Sequence, residues 1–146
     1  MTCTIVSTGE EKNFSKEELE KVQHTLATLV FRLDNEGFTD FYVNCERYIP
    51  LWAGMDAALI GAKVHLIIPY EEQCADWSER DRDYYYSLHA RKETTVTFAS
   101  RHYYKGCYAA ADKIMAEHSD RIVVFGCAHP ISVIAKEKTE FVPFFY

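Results

Sequence analysis

Apolar residues along this chain fall into two alternating patterns, short β-branched runs and longer stretches with helical spacing. TCTIVST, residues 2–8, has the composition of a first strand, and Gly9 follows it where a tight turn must lead onward. Ser15 and Glu18 form a capping-box pattern, after which Leu19, Val22, Leu26, Leu29, Val30 and Leu33 recur on one face until Gly37. One amphipathic helix is predicted there. FTDFYVN, residues 38–44, predicts a second strand, the small-residue stretch from Pro50 to Ile60 a helix, and KVHLIIPY, residues 63–70, a third strand. This third run is apolar almost throughout, the pattern of a strand buried on both faces.

Ser78 and Asp81 repeat the capping pattern ahead of the helix ERDRDYYYSLHARK, and TTVTFAS, residues 94–100, predicts a fourth strand. Tyr108, Ala111, Ile114 and Met115 give the stretch from Gly106 to His118 a helical period, and RIVVFG, residues 121–126, reads as a buried fifth strand. A short helix from Ile131 to Lys138 and a strand from Thr139 to Phe145 follow, with Pro143 pointing to a sheet edge. This alternation predicts an α/β fold: a single Rossmann-like, doubly wound, mainly parallel sheet sandwiched by helices, with residues 1–146 as one domain. Such sheets bind ligands outside the carboxyl ends of their strands at the topological switch point. Thr8-Gly9, Asn44-Cys45 and Gly126-Cys127 are therefore expected to converge.

Composition narrows the partners. An apolar content of 48%, with 14% aromatic residues, supplies a core for a chain of 146 residues and argues against disorder. The net charge of -6, with bases interspersed among acids, argues against direct nucleic-acid binding, which needs clustered Lys and Arg. Residues 1–15 lack the basic start and apolar stretch of a signal peptide, and no apolar run reaches membrane-spanning length, so a cytoplasmic protein without membrane contact is expected. Cys3, Cys45, Cys74, Cys107 and Cys127 include no CxxC pair and read as reduced small hydrophobes. Cys127 and His129, with His102 or Cys107, would match no common zinc spacing, and neither a metal nor another cofactor is expected.

Five pieces of the chain carry a more specific pattern: Thr8-Gly9, Phe41 with Trp52-Ala53, IIPYEEQCADW, Tyr104 with Gly106-Cys107, and MAEHSDRIVVFG. Together they resemble the SLOG superfamily, the Rossmann-like group that contains the Lonely Guy phosphoribohydrolases and DNA-processing protein A. The likeness is to a branch of small bacterial and phage proteins and covers almost the whole chain. Members of that branch typically read TGHR, FxxGGAxGxDxWAA, iPyxxQxxxW and YxxGCxxRRNxxMVDxSDxLIAVYDGxxGGT. The intervals from Phe41 to Trp52-Ala53 and from Cys107 to Met115 are kept without insertion.

The residues that would contact a nucleotide in that family are replaced. TGHR becomes Thr8-Gly9-Glu10-Glu11, and GGAxGxD becomes Asn44-Cys45-Glu46-Arg47-Tyr48-Ile49-Pro50. RRN becomes Ala110-Ala111-Asp112, and the GGT loop is shortened to Cys127-Ala128-His129-Pro130. Every change removes an anion-binding group or adds bulk or negative charge. The expected remnant cleft comprises Thr8, Gly9, Glu10, Asn44, Cys45, Glu46, Tyr48, Asp112, Gly126 and Cys127.

The resemblance with its losses implies a non-enzymatic binding protein, in a protein-interaction or inhibitor role, and a phage anti-defence function against a host nuclease or defence complex is one form of it. Tyr84, Tyr85, Tyr86, Tyr103 and Tyr104, with Glu10 and Glu11, are the expected interaction surface, because tyrosine supplies contact area with a polar tip. One alternative is a sensor or sequestering protein for a nucleotide-derived small molecule in a remodelled cleft. Another is a hydrolase with Cys45 as nucleophile and His129 as base. A homodimer is the expected assembly if the chain pairs as SLOG relatives often do.

Overall fold

A computed structural model describes residues 1–145 of the chain. Six strands, β1 (Thr2–Ser7), β2 (Asp40–Val43), β3 (Lys63–Ile68), β4 (Thr94–Phe98), β5 (Arg121–Phe125) and β6 (Thr139–Val142), form one sheet in the order β4-β3-β2-β1-β5-β6. Every pairing is parallel, so the sheet is more uniform than the mainly parallel one expected. Five helices connect the strands: α1 (Lys16–Asn35), α2 (Ile49–Leu59), α3 (Glu79–His89), α4 (Cys107–His118) and the single turn α5 (Ile131–Ile134). The chain builds outward from β1 to β4, then returns across the sheet to place β5 on the other side of β1. That reversal puts the switch point between β1 and β5, at their carboxyl ends.

Side-chain alternation divides the core between the two faces. Ile5, Val64, Leu66, Val123 and Phe125 point to the face covered by α1, α2 and α3, where they meet Leu26, Leu29, Ala57, Tyr85 and Leu88. Val6, Ile67, Ile122 and Val124 point the other way, against Ala111 and Met115 of α4 and Ile131 of α5. Only α4 and the short α5 cover this second face. Over β2, β3 and β4 it carries polar groups instead: Asp40 Oδ1 lies 2.8 Å from His65 Nε2, Thr95 Oγ1 lies 3.1 Å from His65 Nδ1, and Tyr42 stacks on His65 at 4.4 Å.

Local chemistry sets the element boundaries. Ser15 and Glu18 make both bonds of the capping box, Glu18 N donating to Ser15 Oγ and Ser15 N to Glu18 Oε1. Gly37, at φ 100°, turns the chain after α1, and Phe38 N donates to Leu33 O, so β2 starts at Asp40 rather than at Phe38. The helix α3 ends at His89, short of the expected Lys92, because Arg91 is held across the following turn by the Glu93 carboxylate at 2.7 Å. At the other edge β6 stops at Val142, since Pro143 has no N–H with which to extend the ladder. No helix of the described residues is long and apolar enough to cross a membrane.

Candidate functional site

Three loops leave the carboxyl end of the sheet around the switch point. Gly9, at φ 90°, turns the chain out of β1 into a 3-10 turn (Glu10–Asn13). Gly126, at φ 117°, turns it out of β5, and a Cβ there would lie 2.4 Å from Thr8 Cγ2. The first and third corners therefore touch through a position that only glycine fits.

The loop after β2 has the most unusual backbone. Cys45 and Tyr48 are the two non-glycine residues with positive φ among the described residues, 58° and 76° respectively. Both stand where the resembled motif FxxGGAxGxDxWAA has glycine. The loop follows a path usual for glycine with side chains in place, at a cost of about 1–3 kcal/mol for each strained residue. Asn44 Oδ1 accepts from Glu46 N at 3.0 Å, and Leu51 N donates to Glu46 O, which fixes the path into α2.

A cavity of about 170 Å³ lies between the loops after β1 and β2, lined by Ser7, Thr8, Gly9, Glu11, Lys12, Asn44, Glu46, Arg47, Pro50, Tyr108 and His129. Most of its polar groups are paired with one another. Glu11, only 1% exposed, accepts from Ser7 Oγ at 2.8 Å and from Ile49 N at 3.4 Å. Ile49 is the first residue of α2, so this carboxylate occupies the helix amino terminus, where unpaired N–H groups and the dipole favour an anion. Glu46 accepts from Tyr108 Oη at 2.6 Å and pairs with Lys12 Nζ at 3.9 Å. Behind it Gln73, 1% exposed, donates to Asn44 O and to Tyr108 Oη and accepts from Tyr85 Oη. The Thr8 hydroxyl is buried without a hydrogen-bond partner, as is Arg47 Nε.

The expected cleft residues divide among three hollows and the buried interior, where Cys45 lies. Thr8, Gly9, Asn44 and Glu46 line the cavity, and His129 joins them. Tyr48 instead lines a separate hollow of about 230 Å³ with Trp52, Arg80, Asp81 and Tyr84, and Arg47 borders both. Glu10, Gly126 and Cys127 line a groove along β6. Asp112 faces inward from α4, and burial pushes its carboxyl up to about 7.

Two sequence expectations are corrected. Tyr85 and Glu11 are not surface residues: three consecutive tyrosines sweep more than half a helical turn, so one of them must face the core, and Tyr85 packs edge-on against Trp77 at 5.4 Å. Tyr86, Tyr103 and Tyr104 are exposed, and Tyr84 is half-buried against the core. The Cys45-His129 pairing also fails on physical grounds. The Cys45 thiol is wholly buried and its pKa is driven up by desolvation, reinforced by Cys74 and Glu46, whereas a nucleophile must be an accessible thiolate. His129 has its pKa lowered by burial, and its Nδ1 accepts from Ile131 N.

Sequence reasoning missed Tyr108 and Lys12 as cleft residues. Tyr108 had been read only as one member of the apolar period of α4, although it stands one position after Gly106-Cys107 at the start of that helix, where a side chain reaches back over the strand ends.

Sequence comparison with protein-family profiles and with curated proteins finds no match. Among solved structures the chain is similar to the X-ray structure of DNA processing protein A from Streptococcus pneumoniae, with a TM-score of 0.60 and 13% identity. The superposition covers 97% of this chain and 50% of that chain, so the protein spans half the length of the structure it matches. At this identity the likeness concerns the fold alone. The architecture is an α/β Rossmann-like sheet between helices, as the alternation of elements predicts.

Proposed function

We propose that the chain is a non-catalytic binding protein on a SLOG-like scaffold, and that its partner is another protein rather than a nucleotide. The observation that carries this reading is the buried Glu11 carboxylate at the amino end of α2. A phosphate brought to that terminus would have to displace a carboxylate already bonded there and would then face Glu46 as well. The scaffold is kept and its anion site is filled from within. DNA handling, which the name of the similar structure describes, is disfavoured for this chain by its net charge of -6. A partner with a basic surface fits that charge, and the nuclease or defence complex of a host belongs to this class.

A second reading, a nucleotide-derived small molecule held in the remodelled cleft, draws support from the cavity of about 170 Å³ with its unpaired Thr8 hydroxyl. A thermal-shift screen with mononucleotides, NAD derivatives and cyclic oligonucleotides separates the two. The expected outcome is no change in melting temperature, because any ligand of the native state must raise it. Clear stabilisation by one of these compounds would establish the small-molecule reading and remove the first.

A further inference from the structure

A hollow larger than the cleft cavity is also present. It is a groove of about 580 Å³ beside β6, with Phe141, Val142, Pro143, Phe144 and Phe145 along its length and Gly126-Cys127 at its end. Phe144 is anchored in the core, where Phe14 packs edge-on against it at 5.3 Å and stacks on Phe145 at the same distance. Phe141 and Phe145 remain 46% and 39% exposed. The walls are therefore fixed and apolar, yet open to water.

Beside the groove runs a strand edge. β6 is the last strand on its side of the sheet, and Val142 O accepts from Gly126 N at 3.1 Å, so Val142 and Glu140 direct their backbone groups toward β5. By alternation the Phe141 N–H and C=O and the Thr139 C=O face outward, while the Thr139 N–H donates to Lys136 O. Pro143 ends this row, which limits it to a short pairing. Glu10 is the single charged residue lining the groove among the described residues. The nearby cations are committed elsewhere: Arg32 binds Glu140 and Glu36, and Lys138 Nζ donates to Ala116 O and Ser119 O.

We propose that the β6 edge and this groove take an extended segment of a partner protein, added beside β6 as a further strand with an apolar side chain in the groove and a Lys or Arg against Glu10. The inference rests on the protein-binding reading above and gives it a location. Main-chain bonds to Thr139 and Phe141 supply attachment, and the groove and Glu10 select the segment. Charge decides between occupants. A second copy carries the same net charge of -6 and is repelled, whereas a basic segment is attracted.

The test titrates the full chain, labelled with nitrogen-15, with a capped hexapeptide that alternates Val and Thr and ends in Lys. The expected result is amide shifts at Thr139, Phe141, Gly126 and Cys127, lost when alternate peptide nitrogens are methylated. Replacing the peptide's Lys by Glu should weaken binding about two- to fivefold, the effect of one exposed charge pair, and Glu10→Lys should invert that preference. Shifts elsewhere, or shifts indifferent to methylation, overturn the proposal. So does a dimer in sedimentation that Phe141→Ser dissociates, which would make the occupant a second copy. A photo-crosslinking residue at position 141 or at position 103, used in cells of the source organism, separates this inference from its premise. A protein captured only from position 103 sinks the groove and leaves the protein-binding reading standing, while capture from neither position sinks both.

Discussion

Tyr48 holds an unusual backbone angle pair, φ 76° and ψ -116°, a conformation natural to glycine and strained for any side chain. Its ring recovers part of that cost edge-on against Trp52 at 5.6 Å, with the Arg47 guanidinium 5.7 Å from its centroid. Tyr48→Ala loses these contacts and keeps the strain, while Tyr48→Gly loses the contacts and the strain together. Urea denaturation should find the Gly variant more stable than the Ala variant by about 1 kcal/mol, the reverse of their usual order near a helix. The residue types at positions 45 and 48 are legible in the sequence, but their positive φ is not, because φ and ψ are set by how Asn44 and Glu46 tie the loop down. Glu11 illustrates the same limit. Beside Glu10 in sequence it looked like a second surface charge, and only the three-dimensional approach of α2 turned it inward.

Among the elements, those whose signals are local came through nearly intact. The helix α1 begins after Ser15 as its capping box requires, and Ser15→Ala should lower stability by about 1 kcal/mol in chemical denaturation by stranding the Glu18 amide. The stretch from Pro50 to Ile60 also forms a helix, though it starts one residue earlier, at Ile49, because the Glu11 carboxylate caps it from outside. Gly54 stands in the middle of this helix. It is a packing residue: a Cβ there would sit 2.9 Å from Leu88 Cδ2 and 3.2 Å from Val43 Cγ2, so its absence lets α2 nest against β2 and α3. Ends governed by side-chain contacts just beyond the helix, such as the close of α3 at Arg91 and Glu93, moved by two or three residues.

At the scale of the whole molecule, buried carboxyls give the protein a pH-dependent stability. Burial raises Asp56 to about 6 and Asp112 to about 7, and Asp112 Oδ1 has no hydrogen-bond partner. At these two groups the folded state therefore holds more protons than the unfolded chain from about pH 4 upward, and their contribution to stability falls as pH rises toward the folded values, then levels off. His89 and His129, lowered by burial, act in the opposite direction as pH falls below about 6.5, and their share cancels when two variants are compared. Asp112→Asn should exceed the parent protein in stability by about 1–3 kcal/mol at pH 8 and nearly equal it at pH 4, as read by urea denaturation at each pH. The sequence by itself determined the order of strands and helices, the parallel sheet and the carboxylates that follow β1 and β2, because hydrophobic period, capping and residue type are local. Tertiary structure alone decided which carboxylate fills the end of α2, which of three tyrosines is buried, and that an apolar groove opens beside β6, because each of these depends on residues far apart in the chain meeting across the sheet.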